Sequence, residues 1–385
     1  MKKLLVTILI LMNISTISAN NITNQDLYIH SNNYLLYDLD SGQRLLDNRS
    51  DNKIFPASIT KTITLLVAIE NIDNIKDEVE LGHDIFEGLY EAQASMANFQ
   101  LFEKVTLEDC MHGLLLVSGA DAGRCLANYV SGSEEEFVKL MNAKARELNM
   151  NDTNFVNTSG LHDHNHYTTL NDIAKFMDYA LKNETFYQIF TILNYTSSKT
   201  PEHPDGITFT NSSKKISNYY TSNKTNYVIG GKTGFTDEAG LTLVTLGSDG
   251  NSNLLCISAK ADPSSYARHI VDHVNIYDYY FSNYQKTTIA NKETPIIKAT
   301  MNYRLYDNEI ELFPKDNINL LLPKNSLNKI SYNLKNPNIK LPIKKDTPIA
   351  KLDVILDKKI IMTIDLVSKT DEERNTFLDF ISKFL

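Results

Sequence analysis

The sequence predicts an α+β fold, an antiparallel sheet flanked by helices, followed by a small all-β domain and a C-terminal amphipathic helix. Three observations predict it. Residues 20–285 open and close with strand-like runs around a block of helical periods, residues 286–369 keep short strand-like periods throughout, and residues 370–385 carry apolar side chains at helical spacing. The chain has 385 residues, more than one hydrophobic core usually serves, so at least two domains are expected.

Lys2 and Lys3 precede the apolar stretch Leu4 to Met12, and Ile17-Ser18-Ala19 ends it with small residues, so residues 1–19 read as a secretory signal peptide. The apolar stretch is about half of the ~20 residues a spanning helix needs, which favours a cleaved export signal over a membrane anchor. From Tyr28 to Leu46 two short strands are joined at Asp40-Ser41-Gly42, a turn signal. Ser58 to Ile72 is apolar nearly all round, the pattern of a helix covered on every side. Thr106 caps a further helix with Asp109 at its third position, and Ser118-Gly119 breaks it. Helices follow at about Asp121 to Tyr129, Glu134 to Leu148 and Asn171 to Leu181. The runs YVIGGKTGF, LTLVTLG and LLCISAKA then read as three antiparallel strands. In the last segment Phe377, Leu378, Ile381, Phe384 and Leu385 share one helical face. That face either rests on the outer face of the cytoplasmic membrane or packs against the β domain.

The formal charge is −9, or −11 once Lys2 and Lys3 are removed, and there is no lysine or arginine tract, so a nucleic-acid role is not expected. Cys110, Cys125 and Cys256 are odd in number and sit inside apolar segments, so they read as small core residues. His162, His164 and His166 alternate in a loop, but no H-E-x-x-H spacing exists, and neither a metal nor another cofactor is expected. Asp172 reads as a cap or structural acid at a helix start.

The chemistry begins at PASITK, Pro56 to Lys61, where a serine stands three residues ahead of a lysine at the start of an apolar helix. Such a helix start offers unpaired N–H groups and the positive end of the dipole to an oxyanion formed at Ser58. Lys61, at i+3, lies over the same face. A lysine serves as a base near neutral pH only if its pKa falls from ~10.4 by about 3 units, which apolar burial can supply. Ser118-Gly119-Ala120 adds a hydroxyl at a break between helices, and Lys232-Thr233-Gly234 adds a second cation on a strand. A serine, a second cation and an exposed strand edge suit acyl transfer from a peptide that ends in a carboxylate.

S-x-x-K, a serine triplet and K-T-G form the set shared by penicillin-binding proteins and class A β-lactamases. With ASMANF (Ala94 to Phe99), KVTLED, LLLVSGADAG, FVNTSGLHDHNHYTT and GGKTGFTDEAG, the mature chain resembles the low-molecular-mass penicillin-binding proteins that are serine-type D-alanyl-D-alanine carboxypeptidases. The resemblance implies a penicillin-binding/serine β-lactamase-like domain. It implies peptidoglycan stem peptides as substrate, β-lactams as covalent inhibitors, and a place in the cell envelope, in cell-wall biogenesis and shape. It also implies Ser58 as nucleophile, Lys61 as base and Ser118 as proton relay to the leaving D-alanine. Lys232, Thr233 and Gly234 then belong to the substrate site, with the Ser58 and Phe235 N–H groups as oxyanion hole. Arg268 falls where the family often places an arginine near the carboxylate pocket; a surface ion pair is the alternative.

One position departs from the family. Where the triplet usually ends in asparagine it ends here in Ala120, which offers no amide to the base lysine. Lys61 is therefore expected to be held by Ser58, by Ser118, and by a water or a backbone carbonyl near Ala120. Two other readings share these features: a β-lactamase-like hydrolase, which in class A form needs a positioned glutamate that no motif supplies here, and a non-catalytic wall-binding protein that retains the fold.

Overall fold

The computed structural model describes residues 27–221, 225–264, 267–302, 309–335 and 337–373. The signal-peptide reading of residues 1–19 and most of the amphipathic segment 370–385 lie outside the described residues. The chain divides into two compact units. One takes in the described residues through Leu39 together with Arg44–Asn283, and the other runs from Tyr284 together with the turn Asp40–Gln43.

The first unit is built on a five-stranded antiparallel sheet. Its strands are β1 (Asn33–Asp38), β2 (Arg44–Asn48), β3 (Val228–Thr236), β4 (Gly240–Ser248) and β5 (Asn253–Ala261), in the order β2-β1-β5-β4-β3. The two ends of the sequence block thus meet where β1 pairs with β5, and β3 is left at an edge. The helices include α1 (Thr60–Asn71), α2 (Leu107–Leu116), α3 (Ala120–Ser131), α4 (Glu134–Glu147), α5 (Leu170–Ala180) and α6 (Arg268–Asn283). Every residue from Thr60 to Ala68 is buried, because α1 runs through the helical layer with α2, α3 and α4 packed on it. Thr106 and Asp109 form the reciprocal capping box that the sequence predicts for α2.

Helix α6 was not legible from periodicity, because its buried face sets His269, Asp272 and His273 among Ile270, Ile276, Tyr277 and Tyr280. Buried Asp272 accepts hydrogen bonds from the backbone and hydroxyl of Ser31 at 2.9 and 2.7 Å, and His273 bonds Thr245 and Ser258 at 2.7 and 2.9 Å. A stripe satisfied by hydrogen bonds buries as well as an apolar one, but a hydrophobic period does not report it.

The second unit has its own core, including Leu312, Leu320, Leu352, Val354 and Leu366. Strand Tyr284–Ala290 pairs with Ile318–Pro323, and among the described residues six further strands form a mixed sheet in which Ile297–Asn302 and Asn338–Lys340 run parallel. Among the described residues no helix is long and apolar enough to cross a membrane.

Candidate active site

Ser58 lies in a short 3-10 turn, Ala57–Ile59, that feeds directly into α1. The α-helix therefore starts two residues later than the sequence suggests, at Thr60, and Lys61 falls in its first turn. Ala57 takes a left-handed backbone, φ +47°, which a non-glycine residue adopts at a cost of roughly 1–2 kcal/mol and which presents the serine at the turn.

Lys61 is 3% exposed, and its Nζ donates to Ser58 Oγ at 3.1 Å and to the Ser159 carbonyl at 2.7 Å. Burial holds its pKa down to about 7, against the opposing pull of the Asp121 and Glu134 carboxylates. Its anchor differs from the expectation: the carbonyl is that of Ser159 rather than one near Ala120, and the Ser118 hydroxyl is taken by another lysine. The reason is that the loop carrying Ser159 is pinned to α1. Thr64 donates to the Thr158 carbonyl at 2.7 Å, and Glu134 accepts from the Thr158 N–H and hydroxyl at 2.8 and 2.6 Å. Gly160 allows the approach, since at φ +81° a Cβ there would stand 1.8 Å from the Ala57 carbonyl oxygen.

Ser118 sits between α2 and α3 at φ +67°, a second strained non-glycine residue beside the site. Its Oγ accepts from Lys232 Nζ at 3.1 Å, and that ammonium also donates to the Thr233 carbonyl at 2.6 Å. Lys232 is 2% exposed and its pKa is pushed well below the ordinary lysine range, first by burial and then by the charge of Lys61. Two lysines thus share one dry pocket, each with a serine. Edge strand β3 closes it: a Cβ on Gly234 would come 2.8 Å from the Ser58 nitrogen, so only glycine lets the strand lie against the Ser58 turn. Thr233 Oγ1 is 3.1 Å from Ser212 Oγ, and the Phe235 side chain is exposed at 48%.

The structure thus brings Ser58, Lys61, Ser118, Lys232, Thr233 and Gly234 together, whereas Arg268, half-buried at the start of α6, has Asp262 as its charged neighbour at 3.8 Å. Sequence reasoning missed Ser159, Glu134 and Asp121. The serine-glycine pair at 159–160 was the available signal. Asp121 is fully buried, its Oδ1 accepts the Ala97 N–H at 2.8 Å, and the Ala120 N–H donates to the Ser95 carbonyl at 2.8 Å. ASMANF is therefore stitched to the Ser118 turn. His166 accepts the Val156 N–H on Nδ1 at 3.2 Å, so its Nε2 carries the proton toward Thr60 Oγ1 at 2.8 Å. Asp172 is a structural acid, capped by Thr169 and accepting from Asp152 and Thr153.

A family model described as D-alanyl-D-alanine carboxypeptidase matches residues 19–262. The chain belongs to the D-alanyl-D-alanine carboxypeptidase family. A second model, the C-terminal domain of penicillin-binding protein 5, matches residues 284–374. Among relatives in this carboxypeptidase family, the chain is 28% identical over 396 aligned residues to D-alanyl-D-alanine carboxypeptidase DacF of Bacillus subtilis (strain 168), covering 100% of this chain and 98% of the relative. It is 28% identical to DacA of Haemophilus influenzae over 353 aligned residues, 89% of this chain and 85% of that one. The fold is that of penicillin binding protein 5 from Haemophilus influenzae, with a TM-score of 0.73 at 24% identity over 89% of this chain and 97% of the other.

Proposed function

We propose that this serine-type D-Ala-D-Ala carboxypeptidase works through an acyl-enzyme on Ser58. The observation that carries the reading is the buried amine of Lys61, 3.1 Å from Ser58 Oγ with its pKa held near 7, so that a neutral base stands ready at the nucleophile. A stem peptide adds as a further strand on the free edge of β3, with its terminal carboxylate toward Lys232 and Thr233. Arg268 is assigned to the outer rim of that carboxylate site, a role it would take by exchanging its exposed partner Asp262 for the substrate carboxylate. Lys61 takes the Ser58 proton as Oγ attacks the carbonyl carbon of the penultimate D-alanine. The N–H groups of Ser58 and Phe235 hold the oxyanion. The C–N bond then breaks, Ser118 passes its proton to the departing D-alanine amine, and the proton that Lys61 took from Ser58 returns to Ser118 by way of Lys232. Water releases the shortened peptide by the same base. β-Lactams enter the first half of this cycle.

The acids that act on Lys61 favour this reading over a β-lactamase. Glu134, the glutamate whose charge acts on Lys61, is engaged by Thr158 and by Arg124 Nε at 3.1 Å, which ties it to the Ser159 loop rather than to a deacylating water. We extend the reading to export to the cell envelope and to contact of the apolar face of residues 370–385 with the membrane; the support for both is the sequence pattern, and packing of that face against the β domain is the alternative. Incubation with a penicillin followed by intact mass measurement tests the site. The native protein should form a long-lived adduct and release D-alanine from a pentapeptide, and Ser58→Ala should do neither. Adduct formation by Ser58→Ala would overturn the assignment.

A further inference from the structure

Cys110 and Cys125 lie on α2 and α3, the two helices that meet at the Ser118 turn. Both are buried, and their Sγ atoms are 3.3 Å apart, while Cys256 is buried separately in β5. From that separation a disulfide of ~2.05 Å needs the sulfurs to close by little more than about 1 Å. Ser118 stands near the middle of the segment that the bond would close, eight residues beyond Cys110 and seven before Cys125. The link would staple the helical hairpin whose tip carries the strained Ser118 backbone.

We propose that Cys110 and Cys125 are a modification site, a dithiol that a small disulfide oxidant converts to a cystine during folding, and that this cystine stiffens the Ser118 turn. One thiolate attacks a sulfur of the oxidant, such as glutathione disulfide, and expels one glutathione thiolate. The second cysteine thiolate then attacks the protein sulfur of the mixed disulfide and expels the other glutathione. Two protein thiols are oxidised, the oxidant is reduced to two thiols, and the two protons go to the leaving thiolates. Burial raises the Cys110 pKa well above the ordinary thiol range and keeps oxidant out, so the exchange belongs to the folding chain rather than to the finished protein. An oxidising compartment, where an exported chain folds, supplies such oxidants.

The test refolds the reduced full-length chain either in a glutathione/glutathione disulfide buffer or in dithiothreitol, blocks remaining thiols with a maleimide under denaturing conditions, and maps the peptides by mass. The expected result is a Cys110–Cys125 linked peptide two hydrogens lighter than its reduced parts in the first buffer, with Cys256 alkylated in both. The oxidised form should also keep penicillin acylation after heating several degrees higher than the reduced form, and Cys256→Ala should behave like the native chain. Native protein held with glutathione disulfide just below its unfolding transition provides the same map without refolding. Alkylation of all three cysteines in both experiments, or links through Cys256, would overturn the site. A Cys110–Cys125 link with no change in heat tolerance would overturn its proposed effect on the turn.

Discussion

A lysine amine surrounded by core costs the fold something and supplies a base in return, and both consequences follow from one pKa. Lys61 falls from 10.5 to about 7, so between those values the unfolded chain holds a proton that the folded chain has released. Its destabilising effect is therefore largest below about 7 and fades as pH rises toward 10.5. The catalytic consequence has the same sign, because only the neutral amine can accept the Ser58 proton. Acylation by a penicillin, followed by stopped flow, should rise tenfold per pH unit on the acid side and level off above about 7. Lys61→Ala should lose at least ~100-fold at the plateau. A flat profile from pH 5 to 9 would remove Lys61 as the base. Asp121 supplies the larger opposing pull. Asp121→Asn keeps the acceptor for the Ala97 N–H but deletes the charge, so the acid limb should move to lower pH. An unmoved limb would mean that burial, which raises the pKa of Asp121 itself, keeps that carboxyl protonated.

At the level of elements, the site is made by three close approaches: the Ser58 turn against the Ser159 loop, edge strand β3 against the Ser58 turn, and ASMANF against the Ser118 turn. Each depends on a small residue or a backbone bond rather than on a long side chain. Gly160→Ala puts a methyl into the Ala57 carbonyl and a side chain on a left-handed backbone, so the loop must retreat and take the Ser159 carbonyl from Lys61. Acylation should fall by about tenfold or more, with the acid limb displaced as Lys61 loses its anchor. Thermal denaturation of the same variant separates this local effect from unfolding, and an unchanged acylation profile would show that the anchor is dispensable.

On the scale of the whole molecule, every residue of the proposed machinery falls between Ser58 and Arg268, inside a unit that has its own core from Leu35 to Ala259. The unit from Tyr284 onward has a separate core. A chain ending at Asn283 should therefore fold and be acylated by penicillin at a rate within about threefold of the full chain. Loss of acylation in a truncated protein with native far-UV circular dichroism would show that the second unit shapes the site.

Much of this was legible along the chain because the chemistry is local. S-x-x-K sets Ser58 one turn ahead of Lys61 whether that turn is 3-10 or α, the capping box of α2 needs only Thr106 and Asp109, and alternating or short apolar runs mark strands that bury a face. The pairing of those pieces was not local. Ser159 is 98 positions from the lysine it anchors, and Lys232 is 114 from the serine it holds. Only the closed sheet, with β1 beside β5 and β3 at the edge, puts them together. Composition marked three cysteines as buried, but it took the crossing of α2 on α3 to set two of their sulfurs 3.3 Å apart. Which groups could react was written in the order of residues along the chain. Tertiary structure decided which of them meet and how dry their meeting place is, because desolvation and hydrogen-bond distance depend on neighbours that the chain brings from far away.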